Sequence, residues 1–200
     1  MQYLKDEVRN KIVKEALKEF RQFGYKGTSI RSIAKNSNTS VGNIYKYFNS
    51  KEDLYENLIG IVYYRLIDYI NQFDKVELND KAEHIFYQLM EEIMEIFNES
   101  STEIAILLNK SDGSKYENCK NNFTNFVTRI VTEKMKYELS VEGKKLKDDL
   151  VIYLISHSLV ESISIILERH DDGSEVRRYI LNIIDILYTD IKNKLECENL

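Results

Sequence analysis

Thr28-Ser29-Ile30-Arg31-Ser32-Ile33-Ala34-Lys35-Asn36-Ser37-Asn38-Thr39-Ser40-Val41-Gly42-Asn43-Ile44-Tyr45-Lys46-Tyr47-Phe48-Asn49-Ser50-Lys51-Glu52-Asp53-Leu54 reads as two short helices joined by a tight turn, with a third, capped helix behind them. Thr28 or Ser29 can accept a hydrogen bond from a free backbone N–H and so start the first helix, whose apolar residues Ile30, Ile33 and Ala34 lie three and four apart. Asn36-Ser37-Asn38-Thr39 ends it, because Asn38 tolerates positive φ better than any other residue present. Ser40 suits the N-cap of the second helix, which carries Val41, Gly42, Asn43 and Lys46 on one side and Ile44 and Phe48 on another. A glycine inside a helix costs about 1 kcal/mol relative to alanine. Gly42 therefore calls for a reason, either close approach to a groove or phosphate or close packing of two helices.

Ser50 with Asp53 forms a variant of the capping box, and Lys51 occupies the first turn, where the helix dipole disfavours a cation. A phosphate at that end reconciles the two. This layout is that of a helix-turn-helix. The run resembles the DNA-binding domain of TetR-type transcriptional repressors, sharing Thr28, Ser29, Ile30, Ile33, Ala34, Ser40, Gly42, Ile44, Tyr45, Tyr47, Phe48, Ser50, Lys51, Glu52 and Leu54 at the family's spacing. It departs at Ser37, Asn38, Thr39 and Asn43, where the family usually has alanine, glycine, an apolar residue, and threonine or alanine.

The resemblance implies that Thr28, Tyr45, Tyr47 and Lys51 hold phosphates and that Val41, Gly42, Asn43 and Lys46 face base edges, with Ser40 in the same DNA-facing set. Asn43 can pair bidentately with adenine. The plainer alternative for the two tyrosines is aromatic packing between helices. Val8, Ile12, Val13, Ala16, Leu17, Phe20 and Phe23 precede the motif as a helical stripe ending at Gly24, which brings the matched region to about the first quarter of the chain.

Charge follows the same division. Residues 1–58 hold eleven Lys and Arg against seven Asp and Glu, a net of +4, in a chain whose formal charge is −5. The remainder is acidic, which confines the electrostatic footing for DNA to one end. With no proline, only seven glycines and no strand–turn–strand repeat, the 200 residues read as all-α. The expected organisation is a three-helix DNA-binding domain over 1–50, continuous with a helical effector-binding and dimerisation domain over 51–200.

Helices are expected over about 54–70, 80–98, 102–109, 115–139, 145–169 and 174–196, with loops at Ser111–Ser114 and Asp171–Ser174. The last two helices are apolar on more than one face. In TetR-like proteins they pair with a second copy, and the resemblance implies a homodimer through Leu159, Ile163, Ile166, Ile180, Ile184 and Leu187, as a palindromic operator demands. A thick monomeric core is the alternative.

Polar residues set among apolar ones, His84, Tyr87, Asn109, Tyr116, Asn122, His157 and Ser158, are the candidates for a ligand pocket, although such histidines are more often hydrogen-bonded core or surface residues. Cys119 and Cys197 read as free thiols, and His170-Asp171-Asp172 as a solvated turn and not a metal site. No catalytic constellation, phosphate loop or metal spacing is present, so an enzyme and a cofactor are not expected. No apolar stretch is expected to span a bilayer and no signal peptide is evident, which implies a cytoplasmic protein without a membrane partner. The expected partners are double-stranded DNA, a second copy and an unknown small-molecule effector that releases DNA. A DNA-organising protein with the same head and no effector is the alternative reading.

Overall fold

The computed structural model describes residues 2–73, 75, 82–195 and 197–199, apart from the side chains of 2–5, 82–87, 89 and 199. The fold is all-α, with one short two-stranded pairing. The chain divides into two compact units, one of residues 1–65 with 102–119 and the other of 66–101 with 120–200. Packing therefore groups residues 51–65 and 102–119 with the first fifty.

In the first unit, α1 (Gln2–Gly27) buries Ile12, Ala16 and Phe20 completely. Gly24 breaks it with φ 69° and ψ 175°, a conformation that favours glycine. The break turns Phe23, expected on the buried stripe, out to solvent at 51% exposure. It also frees the Tyr25 N–H to donate to the Lys110 carbonyl at 2.8 Å. The Tyr25 ring then meets Tyr55 edge-on at 4.9 Å, and Phe20 meets Tyr55 at 4.8 Å. Helices α2 (Ile30–Asn36), α3 (Val41–Ile44) and α4 (Lys51–Tyr55) follow, then a π-helical turn over Glu56–Gly60 and α5 (Ile61–Phe73). Gly60 has a packing reason, since a Cβ there would lie 2.7 Å from the Tyr116 hydroxyl. Tyr116 belongs to the loop after α7 (Ser101–Asn109), which completes the unit.

The second unit contains α6 (Ala82–Glu99), α8 (Cys119–Val141), α9 (Leu150–Arg169), α10 (Gly173–Tyr188) and the short α11 (Ile191–Lys194). Asp172 caps α10 by accepting from the Glu175 N–H at 2.9 Å. Gly173 sits so close to the end of α6 that a Cβ would lie 2.0 Å from the Asn98 carbonyl oxygen. The final helix is shorter than expected, because Asp190 adopts φ 59° and breaks it. A strand pair, β1 (Lys144–Leu146) with β2 (Cys197–Asn199), forms antiparallel with Leu146 opposite Cys197. The two segments are fifty residues apart, so no local turn signal announces them. Nearby, Met135, Ile152 and Ile191 form a small core with Val131, Leu146, Ile155, Tyr188 and Leu195 against it.

Contrary to expectation, α9 is long and apolar enough by itself to cross a bilayer. One face of it, from Ile152 through Leu159, Val160 and Ile163 to Leu167, is buried within the unit.

Candidate nucleic-acid interface and ligand cavity

Local hydrogen bonds shape the reading head. Ser29 is the N-cap of α2: its hydroxyl accepts from the Ser32 N–H at 3.1 Å, and Ser32 returns the bond to the Ser29 N–H at 3.3 Å. Ser37 is buried, yet its hydroxyl is satisfied by donating to the Ile33 carbonyl at 2.7 Å. Asn38 takes φ 51° and turns the chain. Ser40 then caps α3, accepting from the Asn43 N–H at 3.1 Å. Ile44 and Phe48 point into the core.

What remains on the outside is a compact polar surface. Ser40, Gly42 and Lys46 are exposed, Val41, Asn43 and Tyr47 half-buried, and Tyr45 is 50% exposed. A Cβ on Gly42 would meet nothing within 4 Å, which removes close helix packing as its reason. Asn43 holds its side-chain amide against Thr39 Oγ1 at 2.8 Å and must release that bond to read a base in full.

Two expected phosphate holders face inward. Thr28 is buried and its hydroxyl has no partner. Lys51 donates its ammonium to the carbonyls of Tyr25 at 2.8 Å and Thr28 at 3.2 Å, and lies 4.2 Å from the centre of the Tyr25 ring. Unpaired carbonyls at a helix end attract a cation, and the broken end of α1 supplies them within reach. Beside it the Tyr25 hydroxyl donates to Glu52 at 2.7 Å and, with backbone and Ser50 hydrogen bonds, holds that carboxyl down to about 2. Burial and the Glu52 charge push the Tyr25 phenol up. The expected box at α4 forms only in part. Asp53 N–H donates to Ser50 Oγ at 3.1 Å, but the Asp53 carboxylate accepts from the Asn49 N–H at 2.7 Å and not from Ser50.

The second unit holds an apolar cavity of about 290 Å³, walled by Phe73 and by side chains of α6, α8, α9, α10 and α11. Met90, Met94, Phe123, Phe126, Ile130, Met135, Leu159, Ile163, Ile180 and Ile184 are among its lining, with Lys134 and Tyr188 the only polar side chains among the described residues. The Tyr188 phenol, pushed up by burial, sits 3.0 Å from Ser156 Oγ. On the opposite side of α9 from its buried face, Leu150, Val151, Leu154 and Ile165 are 42–59% exposed, and Ile186 of α10 is 68% exposed.

Residues 12–58 match the family model described as bacterial regulatory proteins, tetR family. Along the chain, similarity to "Probable HTH-type transcriptional regulator YttP" of Bacillus subtilis runs at 23% identity over 88% of this chain and 70% of that one. The biofilm operon icaADBC negative transcriptional regulator IcaR of Staphylococcus aureus is 31% identical over 36% of this chain, which spans 37% of IcaR. The fold resembles that of NalD, the secondary repressor of the MexAB-OprM multidrug efflux pump in Pseudomonas aeruginosa, with a TM-score of 0.52, 16% identity, and coverage of 96% of this chain and 98% of that one. Residues 12–58 are thus a DNA-binding segment of the tetR type.

Of the residues expected in an effector pocket, those whose side chains are described do not line the cavity. Tyr116 is buried in the first unit with its hydroxyl on Glu56, and Asn109 is half-buried there at the end of α7. Asn122, His157 and Ser158 are exposed, and the side chains of His84 and Tyr87 lie outside the described residues. The cavity selects apolar walls because two or more helices must part around it, whereas isolated polar residues on these helices point to solvent or to local partners.

Of the residues expected at a dimer interface, Leu159, Ile163 and Ile180 are buried within the unit at 5%, 2% and 0% exposure. Ile184 lines the cavity, and Ile166 and Leu187 are half-buried. The exposed apolar residues are the other set, Leu150, Val151, Leu154, Ile165 and Ile186, which the periodicity alone did not separate from the core.

Proposed function

We propose that this chain is a homodimeric repressor that binds a palindromic operator through α3 and releases it when a small apolar or amphipathic molecule occupies the second unit. The observation that carries the DNA-reading part is Gly42: it lies on the exposed, capped start of α3 with open space where its side chain would be. A groove or phosphate explains that opening, since nothing inside the protein uses it. Ser40, Val41, Gly42, Asn43, Tyr45, Lys46 and Tyr47 are the residues we assign to DNA. Lys51 and Thr28 act from behind, by holding the end of α1 against the start of α2 and α4.

The apolar cavity supports an effector over the DNA-organising alternative, which has no use for one. A ligand that distinguishes two states by about 1–3 kcal/mol is enough to switch occupancy several-fold to a hundredfold. The exposed apolar stripe on α9 and α10 supports a dimer, because two such stripes cover each other about a twofold axis. IcaR is named a negative regulator, and repression is carried from it to this chain as part of the proposal. A role on DNA implies the cytoplasm.

The test is binding to a duplex covering the noncoding DNA beside the protein's own coding sequence, titrated with salt. Specific binding of two protomers per site is expected. Tyr45→Phe should weaken it at all sequences, while Asn43→Ala should alter base preference. Weak, sequence-indifferent binding, unchanged by either substitution, would overturn the reading.

A further inference from the structure

We propose that the occupant of the second-unit cavity is a small amphipathic anion, whose apolar chain lies among Met90, Met94 and Phe126 and whose charged head pairs with Lys134. The inference deepens the effector reading and rests on it, because the cavity must take a ligand at all. It starts from the charge of the lining. Among the seventeen described lining residues Lys134 is the only charged one, and none of them is Asp or Glu.

Lys134 lines the cavity yet keeps its side chain 40% exposed, so its alkyl stem belongs to the wall and its ammonium to the mouth. Among the described residues its ion pair is with Glu138 at 3.7 Å, long and solvent-facing, and such pairs contribute little. A ligand's anionic oxygen can approach closer and gain a charge-assisted hydrogen bond. The other polar group, the Tyr188 hydroxyl, is already engaged with Ser156 at 3.0 Å.

A cationic ligand finds the opposite situation. Its ammonium would lose water beside Lys134 as a like-charged neighbour, with no carboxylate among the described lining residues and with Glu138, the carboxylate near the mouth, already paired to that lysine. A neutral ligand fits the interior but gains nothing at the mouth. The interior itself tolerates a flexible chain, since three of the lining residues are methionines, whose unbranched thioethers adapt to irregular shapes.

Isothermal titration of the full-length protein with four ten-carbon probes, decanoate, decyl phosphate, decanol and decylamine, each below its micellar range, tests this. The two anions should bind at least tenfold more tightly than decanol or decylamine, and the stronger of the two tells a carboxylate source from a phosphate one. Lys134→Met should abolish that advantage while leaving decanol affinity within twofold, and Lys134→Arg should retain it. Equal affinities for the anions and decanol, indifferent to Lys134→Met, would overturn the anionic head and leave an apolar effector cavity standing. Failure of all four probes to bind would overturn the cavity reading and this inference together.

Discussion

At Gly42 the demands of folding and of the proposed DNA contact separate within a single residue. Since a Cβ there meets nothing within 4 Å, Gly42→Ala should leave the fold intact and stabilise it by about 0.5–1 kcal/mol, through lower chain entropy and better helix propensity. On the proposed reading the same methyl group meets the DNA, so operator affinity should fall severalfold or more. Thermal unfolding alongside DNA titration checks both; unchanged DNA affinity would free α3 from the role. Tyr25 and Glu52 give a pH signature at the same scale. Glu52 has its carboxyl lowered from 4.5 to about 2, so its contribution is fully present above pH 4.5 and is lost as pH falls toward 2. Tyr25→Phe removes the largest cause of that shift. The melting temperatures of wild type and Tyr25→Phe should therefore differ near neutrality and converge as pH approaches 2, which a series of melts across that range would show.

Between elements, the tightest constraint is where α10 starts against the end of α6. Gly173→Ala would put a methyl carbon 2.0 Å from a backbone oxygen of Asn98, and neither atom is the end of a flexible side chain. Overpacking of this kind costs about 1–3 kcal/mol. A fall in melting temperature of several degrees is expected for the full chain. Retention of the wild-type melting point would mean that α6 and α10 can separate freely. The elements also show where sequence was legible. Ser29, Asn38 and Ser40 act as their local chemistry dictates, because a cap or turn needs only residues within four positions. Phe23 did not follow its helical stripe, because Gly24 ends the helix immediately after it and its neighbours then pack on Lys110 and Tyr55. The Asp190 break and the β1–β2 pairing escaped for the same reason, since no short-range pattern requires either.

For the whole molecule, the apolar surface left on α9 and α10 predicts association. Leu154→Asp combined with Ile186→Asp replaces two side chains that are 54% and 68% exposed, so the helical content of the protomer should be unchanged. Sedimentation or light scattering should then report a monomer where the wild type gives a dimer, and operator binding should fall with it. A wild-type monomer at micromolar concentration would overturn the homodimer. Substituting Ile163 instead would unfold the unit, since it is 2% exposed and lines the cavity. The charge division adds a further level: net +4 over residues 1–58 in a chain of −5 concentrates the attraction for a polyanion in that segment without any structural information.

The amino-acid sequence alone determined an all-α chain, the order of its helices and the capped reading head, because helical periodicity, serine caps and an asparagine turn are encoded within a few residues. The tertiary structure decided three further matters. It turned Lys51 inward onto the carbonyls of Tyr25 and Thr28, it opened a cavity among residues that read simply as core, and it chose which face of α9 stays exposed. Each depends on groups more than twenty residues apart, and a period of 3.6 states that a residue is apolar without stating whether it meets a neighbour, a void or water.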